Sequence, residues 1–91
     1  MTLTVSESVV WTEADDEVRL YDASTGEFQT LNASAAQIWR LVAQGRAPDE
    51  IVAELTARFA DGDAHEAMHI DRDVTEFLQT LRAAGLVQDA G

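Results

Sequence analysis

The amino-acid sequence predicts a small α+β domain in which a three-stranded antiparallel sheet is followed by three helices. Short, alternating runs of β-branched and apolar residues occupy the first third of the chain. In the remainder, apolar residues recur every three to four positions, as they do on one face of a helix. The 91 residues suffice for one modest core, and no repeat or linker divides them. We therefore expect a single domain over residues 1–91.

Three strands are expected before the helices begin. The segment from Leu3 to Trp11 alternates loosely and is rich in β-branched residues, which favours a first strand. The runs Glu17–Tyr21 and Glu27–Leu31 follow, and the turn-forming residues Ala23–Gly26 between them predict a hairpin. Everything after Asn32 is helix-patterned, so the third strand is expected to keep one edge unpaired.

The first two helices have clear boundary signals. Asn32 and Ser34 are both candidate N-caps of the first helix, and Ser34 with Gln37 has the spacing of a capping box. Gly45 is placed to end this helix, and Pro48 fits the first turn of the next one. Trp39 falls among the core positions of the first helix, and the second carries an apolar face expected to be core: Ile51, Val52, Leu55 and Phe59.

The third helix is expected to begin at Asp71 or Asp73 and to end at Gly85. The preceding segment, Phe59 to His69, is polar and irregular and is interpreted as a connection. The apolar stripe of the helix comprises Val74, Phe77, Leu78 and Leu81. In its content of elements the predicted domain is winged helix-turn-helix-like.

Composition excludes several classes of partner. Seventeen acidic and six basic residues give a formal net charge of -11, which repels nucleic-acid phosphates and anionic membranes. Cysteine is absent, so the chain has no disulfide, thiolate nucleophile or cysteine-ligated metal. Neither a signal peptide nor a membrane-spanning apolar run is found, and we expect a cytoplasmic protein.

One motif points to another chemistry. His65-Glu66-Ala67-Met68-His69 matches the His-Glu-x-x-His pattern of zinc hydrolases. A catalytic zinc also needs a third protein ligand and a cleft, and the chain has no other histidine. We therefore expect no catalysis, cofactor or functional metal, although His65 and His69 could bind zinc or nickel adventitiously.

Several segments resemble the PqqD-like family in order. Gly26 to Trp39 is similar to that family's pattern of glycine, aromatic, Leu-Asn, small residues and Ile-Trp, and residues 49–55 and 73–87 resemble its second and third helices. The opening Val9 to Glu13, followed by an acidic turn, looks more like the stand-alone domain of lasso-peptide pathways than the protein of pyrroloquinoline quinone biosynthesis. The chain lacks the latter's Pro-Glu element before Leu-Asn. The connection over residues 60–72 is longer than the family's.

The resemblance implies a function in peptide binding. In this family the leader segment of a ribosomally made precursor peptide adds as an antiparallel strand to the third strand, against the third helix, and is held for a separate leader peptidase and cyclase. Phe28 could face that groove or the core, whereas Leu31 is expected to be core. The residues expected to contact the leader are Glu27, Phe28, Gln29, Thr30, Leu31, Asp73, Glu76, Phe77 and Thr80.

Three alternatives stay open at this point. The chain could be a peptide chaperone of the pyrroloquinoline quinone pathway or of another peptide-modification pathway. A winged-helix DNA-binding protein fits the order of elements, but its third helix would bring Asp71, Asp73 and Glu76 to the phosphates. A zinc hydrolase rests on the histidine motif alone.

Overall fold

The computed structural model describes residues 2–90, with the side chain of Ala90 left undescribed. None of the helices in this range is long and apolar enough to cross a membrane. In chain order the elements are β1 (Thr2–Val5), β2 (Val9–Ala14), β3 (Glu17–Asp22), β4 (Glu27–Leu31), α1 (Ala33–Ala43), α2 (Pro48–Phe59), α3 (Ala64–Ala83) and β5 (Val87–Ala90).

The predicted three-stranded antiparallel sheet followed by three helices is confirmed. The sheet has the order β2-β3-β4, and β3 and β4 form the expected hairpin, with Asp22 opposite Glu27 and Val18 opposite Leu31. The Asp22 carbonyl accepts a 2.7 Å hydrogen bond from the Gly26 amide. Gly26 has a φ of 77°, a left-handed conformation that glycine adopts without steric cost.

The N-terminal segment differs from the prediction of one strand over Leu3 to Trp11. The amide of Val9 donates to the carbonyl of Ser6, and this tight turn divides the segment into β1 and β2. β1 then pairs with β5 in a separate two-stranded sheet. The expectation that nothing after Asn32 forms a strand was therefore wrong, because a strand as short as β5 has almost no periodicity to detect.

Helix boundaries follow most of the predicted signals. Asn32 is the N-cap of α1, and its side chain accepts a 3.0 Å hydrogen bond from the Ala35 amide; the predicted capping box at Ser34 is not formed, since Ser34 lies inside the helix. Gly45, with a φ of 83°, ends α1 as predicted, and Pro48 occupies the first turn of α2. Phe59 was expected in the core but is 55% exposed at the last position of α2.

The third helix is two turns longer than predicted. α3 begins at Ala64 instead of Asp71 or Asp73, and the Asp63 carboxylate caps it by accepting from the amides of His65 and Glu66. The segment Phe59 to His69 is thus mainly helical and not an irregular connection. The pattern missed it because no side chain from Ala64 to Asp73 is buried, so no apolar face marks these turns.

The core lies between the β2-β3-β4 sheet and the helices. Trp39 is fully buried and meets Trp11 edge-on, with ring centroids 6.1 Å apart, which supports the prediction that Trp39 is a packing residue. Leu31 is buried as expected, and Phe77 packs against the core while partly exposed. The fully buried large side chains are Trp39, Leu20, Ile51, Leu81, Val18, Val42 and Val74.

Candidate functional site: a strand edge beside the third helix

The outer edge of β4 is open. β4 pairs with β3 on one side, and within residues 2–90 no strand pairs with its other side. Alternate residues of an edge strand point their backbone N–H and C=O groups away from the sheet, where another chain can pair with them. β5 was the one late strand that could have filled this position, and it pairs with β1 instead.

Among the described residues no strand pairs with the outer side of β2 either, but the surroundings of this second edge are different. Trp11 packs on the buried Trp39, and Glu13 forms an ion pair with Arg40 of α1. Side chains of β2 are thus already engaged with α1. The edge of β4 has a cavity beside it, and we regard this edge as the candidate site.

The register of the hairpin assigns the two faces of β4. Leu20 lies opposite Gln29, and Tyr21 lies opposite Phe28. Since Leu20 is buried, Gln29 shares the face that looks toward the helices, and Phe28 is on the outer face. The ring of Phe28 is 81% exposed and packs on Tyr21 with centroids 4.6 Å apart. Phe28 is therefore not a core residue. It is on the outer face, which Thr30 shares, and it also borders the small cavity beside β4.

A small cavity separates β4 from the end of α3. Residues Glu27 to Gln29 line one side, and Ala84 and Leu86 line the other. Its volume is about 40 Å³, and we call it the notch. Glu27 and Gln29 are thus the β4 side chains nearest the helical wall of the groove.

A larger cavity of about 230 Å³ lies between α3 and the helices α1 and α2, nearer the N-terminus of α3. Ile70 and Asp73 of α3 face Ser34 and Ile38 of α1 across it, and the exposed Phe59 also borders it. The two cavities lie about three helical turns apart beside α3. We call the surface between them, including Phe77, the β4–α3 groove.

The predicted α3 contacts divide into two groups. Asp73 lines the groove, and Phe77, one turn later on the same flank, is half-buried beside it. Glu76 instead borders a shallow depression with Met68, Arg72 and neighbouring residues on the exposed side of α3. The hydroxyl of Thr80 donates 3.0 Å to the Glu76 carbonyl. Hence the structure brings Asp73 and Phe77 to the groove, but not Glu76.

Sequence reasoning missed part of this wall. Ile70 and Glu66 line the larger cavity, and Ala84 and Leu86 line the smaller one. Glu66, Ile70, Asp73 and Phe77 recur at three-to-four spacing, which would have identified the flank had the helix been extended to residue 64. Nothing in the pattern marks Ala84, a small residue just past the helix.

The groove is acidic. Glu27 lies at one end, Glu66 and Asp73 lie at the other, and no lysine or arginine lines either cavity. Asp22 adjoins the same notch, and hydrogen bonds from the side chain and the amide of Ser24 lower the pKa of its carboxyl below 3.8. The electrostatic field therefore favours a ligand with basic groups or a neutral one.

The His-Glu-x-x-His motif lies on the first two turns of α3. The Nε2 atoms of His65 and His69 are 3.2 Å apart on the exposed surface. Among the described residues, no group of three histidine, aspartate or glutamate side chains converges to hold an ion. The arrangement thus lacks the third ligand of a zinc hydrolase.

Known proteins match the chain in family and in fold. Residues 17–87 match the family described as coenzyme PQQ synthesis protein D (PqqD). A solved structure, "TbiB1 in Complex with the TbiA(beta) Leader Peptide", is 31% identical, with a TM-score of 0.84 over 97% of this chain and 98% of that one. A second, "Lasso peptide synthetase B1 complexed with the leader peptide", is 21% identical, with a TM-score of 0.80 over 98% and 100%, and supports the fold alone. No curated protein matches the chain.

Proposed function

Because the chain belongs to the PqqD family, we propose that it binds the leader segment of a ribosomally made precursor peptide and presents it to separate processing enzymes. The observation that carries this proposal is the open edge of β4 beside the β4–α3 groove. The likeness to TbiB1, which was solved with a leader peptide, supports it. The lasso-peptide resemblance of Val9 to Glu13 favours that class of pathway over pyrroloquinoline quinone biosynthesis.

Strand addition explains how such a surface binds. The peptide would form main-chain hydrogen bonds along β4, and alternate side chains would turn toward α3 or toward the outer face of the sheet. Those turned inward would enter the cavities bounded by Gln29 and Ala84 and by Ile70 and Asp73. Main-chain pairing supplies affinity, and the cavities supply specificity.

The role is binding and not catalysis. The groove presents carboxylates and apolar side chains, and its polar groups form no pair of nucleophile and base. A bound leader instead raises the effective concentration of the peptide for an enzyme that docks on the same domain. We propose a leader peptidase, and with it a cyclase, as these partners.

The outer face of the sheet is the surface we assign to such an enzyme. Val10 is 60% exposed and Phe28 is 81% exposed, and Tyr21 packs on the Phe28 ring. An added peptide strand would extend this apolar face by its own outward side chains. The peptidase would thereby contact domain and peptide together, which distinguishes a loaded domain from an empty one.

Fluorescence anisotropy with a labelled cognate leader tests the proposal. We expect saturable binding with a Kd between micromolar and nanomolar, or about 8–12 kcal/mol. The backbone amides of neighbouring strand residues point to opposite sides, so of Gln29 and Thr30 one amide points to β3 and the other to the open edge. Replacing each residue by proline in turn therefore tests the two sides of β4 separately. The variant whose fold and stability match the wild type is expected to lose at least about tenfold in affinity, since proline removes a donor and blocks pairing.

Two results would count against strand addition. One is the absence of saturable binding below about 100 μM leader. The other is wild-type affinity in the correctly folded proline variant. Circular dichroism and thermal unfolding of both variants provide the control. The proline that breaks the β3–β4 hairpin is recognised by its lower stability.

A further inference from the structure

The first two turns of α3 carry a pair of imidazoles with the geometry of a metal site. His65 and His69 are one helical turn apart, and their Nε2 atoms are separated by 3.2 Å. Two nitrogen ligands at about 2.0–2.1 Å from one ion, at angles between a right angle and a tetrahedral one, are separated by roughly 2.9–3.4 Å. The separation of the two Nε2 atoms is therefore the separation that a single shared ion requires.

We propose that His65 and His69 form a two-histidine site for a divalent late transition-metal ion, nickel or zinc, whose remaining ligands are water. Imidazole suits these ions, whereas magnesium and calcium prefer oxygen ligands. Without an ion, the 3.2 Å separation allows one ring nitrogen to donate a hydrogen bond to the other. When the ion binds, the Nε2 proton of the donating ring moves to its Nδ1, so that both Nε2 lone pairs are free to bind the ion. This site is distinct from a hydrolase centre, since no third protein ligand joins it within residues 2–90.

The surroundings favour a cation. The chain has a net charge of -11, and Asp63, two residues before His65, caps the helix. Glu66 follows His65, and Asp73 lies one turn beyond His69. Arg72, three residues beyond His69, is the basic side chain nearest to the pair along the helix. Three carboxylates therefore lie near the two histidines along the helix, against one basic side chain.

The consequence of metal binding is a more rigid start to α3. No side chain from Ala64 to Asp73 is buried, so packing stabilises these turns weakly. A chelate between positions four residues apart forms only when the intervening turn is helical, and it adds its binding energy to that conformation. The same turns carry Glu66 and Ile70, which line the larger cavity of the groove.

Isothermal titration of the untagged protein with Ni²⁺ and Zn²⁺ tests the site. We expect one ion per chain with a Kd below about 100 μM, and no binding of Mg²⁺ at that concentration. His65→Gln and His69→Gln should each weaken binding at least about tenfold. Met68→Gln is the matched control, because Met68 lies between the histidines and is 71% exposed, and it should bind like the wild type.

Two structural readouts accompany the titration. At a free Ni²⁺ concentration about 100 times the wild-type Kd, the Tm of the wild type should rise by about 10 °C, and that of the glutamine variants should rise by no more than about half as much. Amide hydrogen exchange over residues 64–70 should slow with the ion. Failure of Ni²⁺ and Zn²⁺ to bind saturably, or wild-type binding by either glutamine variant, would overturn the proposal. No peptide takes part, so the result is independent of leader binding.

Discussion

The carboxylate of Asp22 fixes the turn from which β4 begins. Its Oδ1 atom accepts hydrogen bonds of 2.9 Å from the amide and 2.7 Å from the hydroxyl of Ser24. Both bonds favour the ionised carboxylate and hold its pKa below the ordinary 3.8. A lowered pKa in the folded state means that Asp22 contributes stability above about pH 4, and that this contribution is lost as the pH falls through the folded value.

Asp22→Asn is expected to remove that pH-dependent contribution. The free energy of unfolding of the wild type should exceed that of the variant by more at about pH 7 than at about pH 2.5, because protonation makes the two side chains alike in charge. Urea unfolding of both proteins across this range measures the difference. A constant difference at every pH would show that Asp22 acts through its shape alone.

Asn32 and Ser34 differ in role although both are good cap residues by type. Of the two, only the Asn32 side chain accepts a hydrogen bond from a backbone amide, that of Ala35, because Ser34 lies inside α1. Asn32→Ala should therefore destabilise the protein by about 1 kcal/mol, and Ser34→Ala should change its stability much less. Urea unfolding of the two variants measures both changes in the free energy of unfolding. Equal losses would mean that the cap hydrogen bond contributes nothing measurable.

Among the elements, α3 shows how far periodicity predicts structure. Its second half was predicted because Val74, Leu78 and Leu81 are buried and recur at helical spacing. The first half has no buried side chain, and it is helical because Asp63 caps it and the helix continues from its packed half. Periodicity reports burial, so an exposed helical extension is invisible to it.

The same limit explains the outcome for β4. Alternation predicted its strand and its hairpin. Its open edge was predicted on a wrong premise, that no strand follows Asn32, and it is open because β5 pairs with β1. The direction of Phe28 could not be predicted, because Phe28 and Leu31, the two strongly apolar residues of this five-residue run, lie on opposite faces and do not show which face is buried. Only the pairing of Phe28 with Tyr21 and of Gln29 with Leu20 settles it.

The groove beside β4 predicts a contrast between two neighbouring alanines. Ala84 lines the notch opposite Gln29, whereas Ala83 does not line it, and both are exposed. Ala84→Trp should fill the notch and weaken leader binding at least about tenfold, or about 1.4 kcal/mol. Ala83→Trp is the matched control and should bind like the wild type. Equal affinities of the two variants would mean that the leader does not enter the notch.

At the scale of the whole molecule, the chain keeps one strand edge available by the way it pairs its ends. β5, near the C-terminus, pairs antiparallel with β1, near the N-terminus. Leu3 of β1 and Val87 of β5 contribute to the core. The ends are thus held together without using β4. An open strand edge of five residues without proline can promote aggregation unless a partner strand covers it. The net charge of -11 opposes such contact between copies of the chain.

The most direct test of this account is amide hydrogen exchange, residue by residue, with and without the cognate leader. If the leader adds to β4, the alternate amides between Glu27 and Leu31 that face away from β3 will exchange much more slowly in the complex. The amides of β2 that face its own open edge will exchange as before. Saturable binding that leaves the β4 amides unchanged, or that protects β2 instead, would contradict it.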